Sequence, residues 1–97
     1  MKEALILVTG KVQGVFFREF VHDTAESLGV VGRVSNEKDG SVRVVAQGYE
    51  AILKKFIAKV EEGNGRSDIS FVQVLWQKEL SETFTYFDIV TTTDDTK

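Results

Sequence analysis

Arg18 closes a run whose residue types invite chemistry, Gly10-Lys11-Val12-Gln13-Gly14-Val15-Phe16-Phe17-Arg18. Two glycines bracket a turn, every charge is positive, and a helical pattern begins at the arginine. A cation in the first turn of a helix opposes the macrodipole by about 0.3–1 kcal/mol. Ser, Thr, Asp or Asn is the stabilising choice at the cap, yet Val15, Phe16 and Phe17 offer no side-chain oxygen. Open amides after a glycine-flanked loop, with an arginine beside them, are a way to bind an anion. The guanidinium fork matches phosphate oxygens two at a time. The spacing alone also accommodates a solvated helix-start arginine after an ordinary Gln13-Gly14 turn. Phe17 is expected in the core; Phe16 fits either a core or an exposed position.

Asn36 is the second residue of interest, and it too has two readings. Asparagine before Glu37-Lys38-Asp39-Gly40 can start that turn, or it can serve as a hydrogen-bonding group in a site. The single histidine, His22, lies four residues after Arg18 on the same helix face. It reads as a surface residue and is left out of the site. Phe71 and Trp76 fall in a strand pattern and read as core or sheet-face residues, and Asp94-Asp95 as a solvated tail.

The elements that must position Arg18 and Asn36 follow from hydrophobic period. Residues 4–12 read as a buried strand, and residues 18–28 as a helix with an apolar stripe that includes Phe17, Val21 and Leu28. Gly29 is a natural terminator. Residues 30–36 and 41–47 read as a strand pair joined through Asp39-Gly40. A second helix follows at about 50–61, then a loop at 63–68, then strands at 69–77 and 84–90. Residues 91–97 are expected to form a polar tail. The order β-α-β-β-α-β with a short extra C-terminal strand predicts a ferredoxin-like α+β sandwich: an antiparallel sheet with two helices on one face. Residues 1–97 are read as a single domain. In this topology the first and second strands run parallel with the third between them. Their C-terminal ends therefore share one end of the sheet, roughly 9–10 Å apart. Arg18 and Asn36 converge there.

Bulk composition narrows the function classes. The 97 residues carry a net charge of −3, against affinity built on neutralising many phosphates. No cysteine is present, so disulfides, zinc ribbons and thiol nucleophiles are out. The apolar run Ala4-Leu5-Ile6-Leu7-Val8 is too short for a signal core or a membrane span. The expectation is a soluble, cytoplasmic monomer, and with a single histidine any metal site would be nearly all oxygen.

The sequence resembles the acylphosphatase family. The resemblance rests on Gly10 to Arg18 and on a second block: Leu28-Gly29-Val30-Val31-Gly32, Val34, Asn36, and Asp39-Gly40-Ser41-Val42. It continues through Ala46-Gln47-Gly48 and covers roughly residues 4–90. It implies a hydrolase of the carboxyl–phosphate bond of small acyl phosphates, with inorganic phosphate as a product. By the same implication Arg18 binds the phosphate and Asn36 positions the attacking water. The amides of Val15, Phe16, Phe17 and Arg18 would cradle the phosphate, and no metal or organic cofactor is implied. Arg33 stands where the family often has tryptophan, Ser35 precedes the asparagine, and the 63–68 loop lacks a proline.

The chemistry asks for little more. The leaving carboxylate has a parent acid of pKa about 4 and departs without protonation. Phosphoryl transfer through a loose transition state needs positioning and charge stabilisation. With no base evident, the bound phosphate is the expected acceptor of the water's proton. A non-catalytic ligand-binding module on the same scaffold is the alternative. An RNA-recognition module is disfavoured because the third strand, SVRVVAQG, has no aromatic residue and the net charge is negative; no nucleic-acid partner is expected.

Overall fold

The computed structural model describes residues 1–90. Seven elements follow in order: β1 (Lys2–Lys11), α1 (Phe17–Leu28), β2 (Val31–Asn36), β3 (Val42–Gly48), α2 (Glu50–Glu62), β4 (Asp68–Gln77) and β5 (Phe87–Val90). The expected strand at 84–90 is shorter at its start, and the tail at 91–97, with Asp94-Asp95, lies outside the described residues.

Period-2 alternation builds the sheet and period-3.6 spacing builds the helices. Ala4, Ile6 and Val8 of β1 and Val42, Val44 and Ala46 of β3 are fully buried. They meet Phe17, Val21 and Ala25 of α1 and Leu53, Phe56 and Val60 of α2 in one core. Burying each of the valine, leucine, isoleucine and phenylalanine side chains among them contributes about 1.5–3 kcal/mol. Helix α1 ends as expected at Gly29, whose φ of 74° lets its N–H and that of Val30 turn back to the last carbonyls.

The strand order is β4-β1-β3-β2-β5. The four ferredoxin-like strands are antiparallel to their neighbours. The extra strand β5 pairs parallel with β2, Gly32 facing Phe87 and Ser35 facing Val90. To reach that far edge from β4, residues 78–86 cross the sheet face opposite the helices. This is why residues 84–86 are not strand. Phe84 lies under the Arg33 guanidinium at 5.5 Å, and Arg33 Nη1 meets Glu82 at 3.0 Å.

This strap also covers Gln47, which lies on the sheet face opposite the helices and is 1% exposed. Gln47 Nε2 donates to Glu3 Oε1 (2.9 Å) and to the Glu82 carbonyl (2.6 Å). The Ser81 amide and hydroxyl donate to the same Glu3 oxygen at 3.0 Å each. Burial pushes the Glu3 carboxyl up. The hydrogen bonds from Gln47 and Ser81, with the Arg33 charge, outweigh it and hold the carboxyl below its ordinary value. Phe71 and Trp76 lie on the faces of edge strand β4 and stay partly open to solvent.

Candidate active site

The loop between β1 and α1 begins at a β-bulge, where the β1–β4 register shifts between Thr9 and Gly10. Gly10 has φ 124°, and a Cβ there would sit 2.2 Å from the Asp68 carbonyl, so only glycine lets the two strands close. Gly14 (φ 71°) then reverses the chain. Phe16 follows at φ 59°, ψ 27°, as the N-cap of α1 with no side-chain cap. A left-handed aromatic residue costs roughly 1–3 kcal/mol and is held only by its surroundings. Here the conformation lets Phe17 enter the core (1% exposed) while the Phe16 ring stays outside (62% exposed). Phe17 is thus in the core as expected, and Phe16, which the spacing left open, is outside it.

Several side chains fix this loop. Gln13 Nε2 donates to the carbonyls of Glu37 and Ser41, both at 2.8 Å, tying the loop to the β2–β3 turn. That turn is ordered by Asp39, which accepts from the Ser41 hydroxyl (2.6 Å) and amide (2.9 Å). The Ser41 hydroxyl, then the Ser41 amide, hold the Asp39 carboxyl below its ordinary value. From the other side, Asn64 Nδ2 donates to the Val15 carbonyl (2.8 Å), while Asn64 Oδ1 accepts from the amides of Arg66 and Ser67.

These constraints leave a cavity of about 180 Å³ walled by Val12, Gly14, Phe16, Phe17, Arg18, Glu19 and Asn36. Arg18 and Asn36, 18 residues apart, therefore share one cavity, as the topology predicts: Val42 of β3 lies between Val8 of β1 and Asn36 of β2. Arg18 is half-buried, and its Nη1 reaches the carbonyl of Val90, the last residue of β5, at 3.3 Å. Of the four residues expected to offer amides, Phe16, Phe17 and Arg18 line the cavity and Val15 does not. Val15 packs against the core, its carbonyl drawn to Asn64. The left-handed cap residue supplies no side-chain hydrogen bond to the first turn of α1, and uncapped helix-start amides favour an anion.

Sequence reading missed Glu19, which lines the cavity from the first turn of α1. It also missed Gln13 and Asn64, whose roles depend on partners far along the chain. His22 lies outside the cavity, its Nδ1 3.0 Å from Asp23 and its Nε2 3.6 Å from Glu26. These three could bring ligand atoms within 4.8 Å of one another. They are an exposed i, i+1, i+4 cluster in which each imidazole nitrogen already faces a carboxylate. No helix among the described residues is long and apolar enough to cross a membrane.

Comparison with known proteins shows the family. The acylphosphatase family profile matches residues 4–89. An acylphosphatase of Methanococcoides burtonii is 43% identical over 86 residues, 89% of this chain and 88% of that one. One from Shewanella amazonensis is 42% identical, covering 92% of this chain and 97% of its own. The crystal structure of acylphosphatase from Bacillus subtilis superposes with a TM-score of 0.88 at 36% identity, covering 93% of this chain and 99% of that one. With its fold shared and residues 4–89 matched, the chain belongs to the acylphosphatase family.

Proposed function

We propose that this acylphosphatase cleaves the P–O bond of small acyl phosphates by direct attack of water on phosphorus, with Arg18 and the amides of Phe16, Phe17 and Arg18 holding the phosphate and Asn36 orienting the water. The observation that supports the assignment is the shared cavity: a guanidinium, an uncapped helix start and an asparagine side chain converge on a space of about 180 Å³. A phosphate group fits that volume. Arg18 and the amides neutralise its equatorial oxygens. Asn36 ends β2, two strands away from β1, so in this reading it approaches the phosphate from the side opposite the loop.

In the step, the water oxygen forms a bond to phosphorus. The bond between phosphorus and the acyl oxygen breaks, and the electron pair leaves with the carboxylate. The leaving group needs no proton, its parent acid being of pKa about 4. The water's proton passes to a phosphate oxygen, so the products are a carboxylate and monohydrogen or dihydrogen phosphate. Phosphoryl chemistry of this kind rests on positioning and charge stabilisation, which is what the cavity supplies.

The test is turnover of acetyl phosphate by the parent and by Arg18→Ala, together with inorganic phosphate binding by calorimetry. Both turnover and phosphate affinity should fall by at least a hundredfold in the variant. Near-parental rates in Arg18→Ala would reject the assignment.

A further inference from the structure

A second, wider groove of about 800 Å³ opens beside the phosphate cavity. The two share Phe16 and Glu19 as walls, so a molecule with its phosphate in the cavity has its remainder directed at the groove. Phe16 forms the lip between them. Its ring is 62% exposed, a large apolar surface for a residue in a strained conformation. The Arg66 guanidinium lies over that ring at 5.4 Å from its centre, a cation–π contact.

The groove is charged asymmetrically. Glu19 and Asp23 stand on the α1 wall; Lys59 and Arg66 stand on the wall made by the end of α2 and the 63–67 loop. Arg66 is exposed and forms no ion pair among the described residues; its contact there is the face of the Phe16 ring. A guanidinium stacked by its face keeps its N–H edge available for an acceptor. The loop that carries it is stiffened by Asn64, which accepts from the Arg66 amide at 3.0 Å and ties the loop to Val15 beside the phosphate cavity.

We infer that this groove is the acyl subsite, and that the Phe16–Arg66 pair selects acyl phosphates whose acyl chain carries a second carboxylate. The inference rests on the hydrolytic reading above and adds the substrate class to it. The phosphate sits at Arg18, the carbon chain crosses the Phe16 ring, and the distal carboxylate meets the Arg66 N–H edge. The Glu19 and Asp23 wall repels that carboxylate and so fixes which way the chain turns. Specificity of this kind, built from one attraction and one repulsion, discriminates better than attraction alone.

The experiment compares kcat/KM for the monoacyl phosphate of succinic acid with that for acetyl phosphate, in the parent, in Arg66→Gln and in Lys55→Gln. Lys55 is an exposed α2 cation outside the groove and controls for net charge. The parent should favour the dicarboxylic substrate at least tenfold. Arg66→Gln should lower that ratio at least tenfold, and Lys55→Gln should keep the parental ratio. A parent without preference, or an unchanged ratio in Arg66→Gln, overturns the subsite while leaving hydrolysis standing. A parent that turns over neither substrate overturns the hydrolytic reading and the subsite with it.

Discussion

At the scale of single residues, the account separates holding the phosphate from delivering the water. Arg18 is anchored at the end of β5 through the Val90 carbonyl and faces the cavity from α1. Asn36 faces it from β2. Asn36→Ala should therefore lower kcat at least a hundredfold while the dissociation constant for inorganic phosphate moves less than threefold, a split read from steady-state kinetics and calorimetry. A parallel loss of both would make Asn36 a phosphate ligand instead. With phosphate as the proton acceptor, kcat should stay level across neutral pH. A limb inside that range that disappears in His22→Gln would instead bring His22 into the mechanism.

At the scale of elements, the site is a junction of two segments that the sheet brings together and a side chain locks. Gln13 donates to two carbonyls of the β2–β3 turn. Gln13→Ala leaves two acceptors without that donor and should cost about 1–3 kcal/mol. Gln13→Glu should cost more, because it sets a carboxylate against the same two carbonyls; urea unfolding of the two variants gives the order. The glycines of the loop differ in the same testable way. Gly14→Ala meets nothing within 4 Å and carries only the left-handed penalty, about 1–2 kcal/mol. Gly10→Ala must also displace the β4 backbone at 2.2 Å, and should destabilise more.

At the scale of the whole molecule, local patterns carried much of the fold and left its long-range fastenings hidden. Alternation in β1 and β3, the apolar stripes of the helices and the stops at Gly29 and Asp39-Gly40 sufficed for the β-α-β-β-α-β order. Topology then brought Arg18 and Asn36 together without any pairing signal between them. The Glu3–Gln47–Ser81 cluster was not legible, because its members lie 44 and 78 residues apart and each looks like an ordinary surface residue. The strap that buries them also ended the apparent strand at 84–86. Phe16 and Phe17 parted for a reason no periodicity carries, a left-handed backbone at the cap. The cluster has a pH signature. The Glu3 carboxyl is held below its ordinary value of 4.5, so its stabilisation is complete above that pH and is lost as pH falls through the lowered folded value. Glu3→Gln should cost about 1.5–3 kcal/mol at neutral pH and show a shallower loss of stability below pH 4.5 than the parent, measured by denaturant titration at a series of pH values.

The central claim concerns which atom the water attacks, since the proposed mechanism sets phosphorus, and not the acyl carbon, between Arg18 and Asn36. Enzymatic hydrolysis of acetyl phosphate in ¹⁸O-enriched water, followed by mass spectrometry of both products, reads this directly. The account predicts label in inorganic phosphate and none in acetate; label in acetate would contradict it.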